Sequence, residues 1–201
     1  MNRMTRIAAL AVAIAPALAF GQAATWNIDA SHTRTGFSVK HLVISDVKGE
    51  FAKTEGKAQI DEADLSKSSV EVTIDAASVD TRDAKRDNHL KSADFFDVAK
   101  FPTITFKSTK VEAGKDGALT VTGDLTMHGV TKPVTLEGSI TKAITDPWGL
   151  TRRGASFTGK LDRKAWGITW GKMTDVGAVV GDEVKLDIQA ELVLPKAEPK
   201  K

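Results

Sequence analysis

Leu119-Thr-Val-Thr-Gly-Asp-Leu-Thr-Met127 decides the fold. Apolar Leu119, Val121, Leu125 and Met127 alternate with Thr120, Thr122, Asp124 and Thr126, and Gly123 sits at the apolar parity. A period of two belongs to a strand with one dry face and one wet face. A turn signal follows in His128-Gly129-Val-Thr-Lys-Pro133, and the alternation then resumes in Val134-Thr-Leu-Glu-Gly-Ser-Ile140. Upstream, Ala113-Gly-Lys-Asp-Gly117 reads as a hairpin loop to a run holding Ile104 and Phe106. Successive alternating runs joined by short loops point to antiparallel hairpins rather than α/β crossovers.

The same alternation extends outward through Val70–Ala76, Ala155–Leu161 and Val184–Leu194, with shorter versions in Trp26–Asp29, Thr35–His41 and Val47–Ile60. This predicts an all-β chain of eight or nine antiparallel strands, each with one wet face. One stretch reads as helix, Arg82 to Ala93, with Thr81 as its N-cap. Its only apolar residues are Ala84, Leu90 and Ala93, so it is expected to lie across an end of the sheet rather than build a core. Gly49, Gly123, Gly138 and Gly159 recur at inward parity, where glycine marks curvature, and this favours a closed barrel over a sandwich.

Composition removes several function classes. Of 201 residues, 27% are charged and 41% hydrophobic, which fits neither a disordered nor a polytopic chain. The absence of cysteine excludes a disulfide scaffold, thiolate metal ligands and a thiol nucleophile. Val, Ile and Thr together form about a quarter of the chain, a strand-forming bias. The net charge of +2 rests on Arg3 and Arg6, in a stretch without acids; the remainder is balanced. A neutral domain lacks the field that gathers phosphate backbones, so nucleic acid is not an expected partner.

That N-terminal stretch reads as an address. Met1–Arg6 is basic, Ile7–Phe20 is apolar and broken by Pro16, and Gly21-Gln-Ala23 carries small residues where a signal peptidase cuts. The expected organisation is a secretory signal peptide over 1–23, one domain over 24–194 and a disordered Pro-broken tail over 195–201. An uncleaved anchor is the alternative, but the apolar run is shorter than the roughly 20 residues of a spanning helix. No cysteine is available for a lipid anchor, and integral anchoring is not expected; transient contact with a membrane surface remains open.

The four histidines, His32, His41, His89 and His128, form no close ligand pair, so no metal site is expected. No nucleophile elbow, P-loop or dinucleotide fingerprint occurs, and no catalytic residue is assigned. Asp94-Phe-Phe-Asp97 reads either as aromatics plugging a barrel end or as a lid over a ligand. Trp148, Trp166 and Trp170 read either as rim packing or as a grip on an apolar ligand at the mouth. Parity carries Phe157, Gly159 and Leu161 on to Arg163, and Phe37 and Val39 on to His41. A cation turned inward needs an anion, which leaves an internal salt bridge, a strand that has twisted away, or a clamp on a ligand head group.

Taken in order, the motifs resemble the YceI-like family of secreted polyisoprenoid-binding proteins over Trp26 to Leu194. They are Trp26-x-Ile-Asp-x-x-His32, Phe37-Ser-Val-Lys-His41, Gly49-Glu-Phe51, Arg86-Asp-x-His-Leu-Lys-Ser-Ala-Asp-Phe-Phe-Asp97, Phe101-Pro-x-Ile-x-Phe106, Gly123-Asp-Leu-Thr-x-His-Gly-Val-Thr131, Asp162-Arg163 and Trp166-Gly-Ile168. Trp166 departs from the phenylalanine common there but keeps an aromatic. The resemblance implies a lipocalin-like antiparallel barrel of eight strands or slightly more, with one short helix across an end, closed around an elongated apolar tunnel. It implies a non-catalytic periplasmic carrier of a long isoprenoid or quinone-like lipid, without a cofactor, and frequent homodimers. The residues expected to touch the lipid are Phe37, Val39, His41, Phe51, Ile74, Phe106, Phe157, Gly159, Leu161, Arg163, Trp166 and Ile168. Three rivals remain: an outer-membrane barrel, an enzyme acting on the bound lipid through His32 or His41, and a structural or stress protein with a solid core.

Overall fold

A single long strand, β1 (Ala24–His41), organises the molecule by changing neighbours along its length. The computed structural model describes residues 23–175 and 177–196, so the expected signal peptide (Ala23 apart) and residues 197–201 of the expected tail lie outside it. The first half of β1 pairs with β3 (Thr54–Ile60) through Ala24–Asn27, and its second half pairs with β2 (Ser45–Phe51) through Thr35–His41. Its other edge pairs with the last strand, β13 (Val180–Leu194), with a register shift between Asp29 and Arg34. Such a shift bends a strand, and here it turns a corner.

Between them run β4 (Ser69–Asp75), β6 (Thr103–Ala113), β7 (Ala118–Met127), β8 (Val130–Ile140) and β10 (Thr151–Asp162). The antiparallel order β1-β3-β4-β6-β7-β8-β10-β13 returns to β1, closing an eight-strand barrel. The remaining strands are short: β5 (Val79–Asp80) extends β2, β9 (Ile144–Thr145) pairs with β10, and β11 (Met173–Thr174) and β12 (Gly177–Ala178) form a separate hairpin. The predicted stretch Val47–Ile60 is two strands broken at Ala52-Lys53.

The alternation sorts as expected. Inward residues such as Ile74, Ile104, Phe106, Val121, Leu125 and Leu136 are buried, while Glu55, Lys57, Glu71, Lys107 and Glu137 are exposed on the outer face. A charged exterior cannot face hydrocarbon, which removes the outer-membrane rival. No helix among the described residues is long and apolar enough to cross a membrane. Inward glycines make room for rings across the strand. A Cβ at Gly49 would lie 2.5 Å from Phe37, its partner in β1, and one at Gly138 would lie 2.7 Å from the ring of Phe157, its partner in β10.

The helix, α1 (Ala84–Lys91), is shorter than predicted, and its N-cap is Asp83 rather than Thr81. The Asp83 carboxylate accepts the N–H groups of Lys85 and Arg86, at 3.0 and 3.1 Å. Thr81 is instead buried, donating its hydroxyl to Asp87 and accepting from Arg86 Nε.

At the end of the barrel away from α1, Arg152 ties three elements together. Its Nη1 donates to Asp29 at 2.7 Å and Glu191 at 3.0 Å, and its Nε donates to Asp146 at 2.8 Å. Asp29 is held well below the usual carboxylate range, first by the Ser31 hydroxyl, then by Arg152 and His32. A depressed carboxylate stabilises the fold above its unfolded value of 3.8 and loses that contribution as pH falls through its lower folded value. Acid titration of tryptophan fluorescence should therefore show stability being lost as pH falls below 3.8. Arg152→Met should lower stability at neutral pH and unfold at higher pH than the parent. An unchanged acid midpoint would contradict the assignment.

Candidate functional site

Two internal cavities occupy the barrel. The first, of about 270 Å³, lies under α1 and is walled by Val39, Leu161 and Val184 from the strands and by Leu90, Phe95 and Phe96 from the helix and the segment after it. The second, of about 200 Å³, runs deeper between Ile74, Ile104, Phe106, Val121, Phe157 and Ile188. Phe37, Phe51, Met127 and Leu186 line both, so those four side chains form a waist between the two cavities. The walls are nearly all hydrocarbon, and an apolar space too large for packed side chains suits an apolar chain.

The first cavity carries the ionisable groups, whereas the second has only hydroxyls such as Thr33 and Thr54. His41 makes no side-chain hydrogen bond among the described residues. Arg86 donates Nε and Nη2 to the hydroxyl and carbonyl of Thr81, at 2.7 Å each, and forms no salt bridge among the described residues. Its Nη1 has no hydrogen-bond partner among the described residues. His89 holds Asp94 at 2.8 Å and stands edge-on to Phe95 and Trp170, with centroids 5.0 and 4.9 Å away. Asp94-Phe-Phe-Asp97 thus both plugs the end and walls the cavity: Phe95 is buried beside Trp170, and Phe96 packs edge-on against Phe51 at 5.5 Å.

Of the residues expected to touch a ligand, Phe37, Val39, His41, Phe51, Leu161, Arg163 and Ile168 face the first cavity, and Ile74, Phe106 and Phe157 face the second. Trp166 and Gly159 line neither. The Trp166 indole is buried in the core and donates Nε1–H to the carbonyl of Leu125 at 3.0 Å. Gly159 provides close approach rather than room, because a Cβ there would lie 2.7 Å from Leu136 and 3.1 Å from the carbonyl of Thr135. Trp170 packs at the mouth, whereas Trp148 is exposed at the other end.

Arg163 reaches the cavity but does not offer its charge. Nε donates to the carbonyl of Gly181, Nη1 to those of Ile168 and Trp170, and Nη2 to the carbonyl of Val180 and the carboxylate of Asp182, all within 2.7–3.3 Å. A guanidinium has five N–H donors, and every one is engaged. Of the alternatives that parity left open, the internal salt bridge is the one present, and a head-group clamp at Arg163 is not.

The residues missed are Met127 and Leu186 at the waist and Arg86 and His89 on the helix. Their signal was parity for the first two and the Arg86–Asp97 motif for the others. His32 lies midway along β1 and His41 at its C-terminal end, so extended chain separates them and they cannot form one catalytic pair. Asp29, His32 and Glu191 do converge, their ligand atoms within 4.8 Å of one another, but Arg152 sits on both carboxylates there.

A family model described as the YceI-like domain matches residues 26–192. The protein YceI of Salmonella newport is 44% identical over 176 residues, covering 87% of this chain and 89% of its own. The crystal structure of the Campylobacter jejuni YceI protein superposes with a TM-score of 0.66 at 33% identity, over 81% of this chain and 90% of that one. A Saccharophagus degradans domain described as polyisoprenoid binding shares the fold, with a TM-score of 0.64 at 14% identity over 86% of this chain and 99% of its own.

Proposed function

This chain belongs to the YceI-like family, and from that premise we propose that it is a non-catalytic periplasmic carrier of a long isoprenoid or quinone-like lipid. The observation that carries the proposal is the pair of apolar cavities meeting at a waist inside a closed barrel. A solid-cored structural protein has no use for such a space, and close packing would otherwise fill it. Support comes from the fold neighbour described as a polyisoprenoid binding domain. A basic n-region followed by an apolar run, Arg3 to Phe20, supports export. Among the described residues no nucleophile and base converge at the mouth, where His41 stands without a side-chain partner.

In this reading the chain threads the waist, and its oxygen-bearing head rests between Arg86 and His41. Titration of a long prenyl alcohol and the matching diphosphate into solvent-extracted protein tests it. Both should bind, and Arg86→Met should weaken the diphosphate about tenfold relative to the alcohol, the loss of one charge-assisted hydrogen bond. Failure of extracted, folded protein to take up either would refute the carrier. Equal weakening of both would remove the head-group role of Arg86.

A further inference from the structure

We propose that the turn between β1 and β2, with the β11–β12 hairpin beside it, is a membrane-docking tip that sets the cavity mouth against a lipid surface. Resting on the carrier role above, it adds the surface through which cargo passes. Val43 and Ile44 project from the turn, 59% and 81% exposed, and Met173 projects from the hairpin, 78% exposed. Large aliphatic side chains at a loop tip are unfavourable in water, and here they are grouped. The two loops touch: Val43 Cγ2 lies 2.9 Å from where a Cβ of Gly177 would stand, and Leu42 N–H donates to the carbonyl of Val179 at 3.0 Å.

The backbone is bent to make this display. Leu42 and Val43 have φ of 50° and 65°, a region that branched side chains rarely enter. The tip is continuous with the mouth, since His41, Val179 and Val180 beside it line the first cavity. A lipid leaving a bilayer could enter there without crossing water.

The occupant is a lipid surface rather than a second copy. The tip carries three exposed apolar side chains, far short of the roughly 800 Å² per partner of a stable protein interface. Charge agrees weakly. Asp46 is held by Lys40, and Asp182 by Arg163 and Lys164. Lys48 and Lys172 have no carboxylate partner among the described residues, and Asp175 offsets one of them. Insertion of apolar tips with weak attraction to anionic lipid is the mode expected of an interfacial protein.

The test is sedimentation of the mature protein with phosphatidylethanolamine–phosphatidylglycerol vesicles. Ile44→Asp, at a site too exposed to disturb folding, should lower partitioning about tenfold or more, and Met173→Asp should act in the same direction. Ile144→Asp and Trp148→Asp, on exposed apolar residues at the opposite end, should change nothing. Unchanged partitioning of Ile44→Asp, or loss confined to Trp148→Asp, overturns the proposal. So does a sedimentation-velocity dimer that Ile44→Asp splits. Lipid content is read on the same samples. Protein that carries lipid but ignores vesicles refutes the docking tip and leaves the carrier intact. Protein that docks through Ile44 but never holds lipid refutes the carrier and leaves the tip.

Discussion

Met127→Trp should shut the waist, abolishing binding of long prenyl chains while short ones still bind. Met127 is one of the four side chains facing both cavities. An indole there fills the passage, so a chain keeps only the part that fits one chamber. An isoprene unit brings about five carbons, and burial is worth roughly 0.8 kcal/mol per CH₂. Each excluded unit therefore removes on the order of 4 kcal/mol, close to three decades in affinity. This is an upper bound, because free chains coil and already hide some surface. Overpacking a buried site costs roughly 1–3 kcal/mol of stability, which a barrel with internal space absorbs better than a solid core. Leu186→Trp approaches the same waist from β13 and serves as the second variant. Competition binding with a series of prenyl alcohols reads the effect. A uniform drop across all lengths would show that the chambers are not joined.

Arg163→Met should destabilise the mouth and weaken alcohol and diphosphate alike. Arg163 is 5% exposed, and its donors hold four carbonyls and the Asp182 carboxylate. Asp182 is itself 44% exposed, so the cost lies mainly in the carbonyls left without a donor, about 1–3 kcal/mol each, which for two or more is on the order of 10 °C in melting temperature for a domain this size. The segments it joins, Ile168–Trp170 and Val180–Asp182, also wall the first cavity, so its loss loosens the site for every ligand. Differential scanning calorimetry with paired titrations of both ligands decides it. Selective loss of the diphosphate with an unchanged melting temperature would restore the clamp.

These two sites show where reading by parity stops. The strands were legible because alternation of Leu119, Val121, Leu125 and Met127 against Thr120, Thr122 and Thr126 has one physical meaning, and the closing curvature was legible in Gly49 and Gly138. Parity also turned Arg163 inward correctly. It could not say what Arg163 meets, because Val180, Gly181 and Asp182 arrive from another strand. Nor does parity measure space. Phe157 and Gly159 share a face, but only Phe157 borders a cavity, since Leu136 already fills the place beside Gly159. The helix cap went to Asp83 because a carboxylate there reaches two free N–H groups, whereas Thr81 lies two residues too early and is drawn into the Asp87–Arg86 contacts. Trp166 looked like a mouth residue, but its indole found the carbonyl of Leu125.

The central claim is that the barrel encloses a lipid, and native mass spectrometry of the mature protein isolated without detergent or solvent tests it most directly. The account predicts a protein ion carrying one long apolar molecule, lost on organic extraction and regained on adding a long prenyl alcohol. A ligand-free ion that gains nothing on that addition, from protein whose far-UV spectrum is folded, would contradict it.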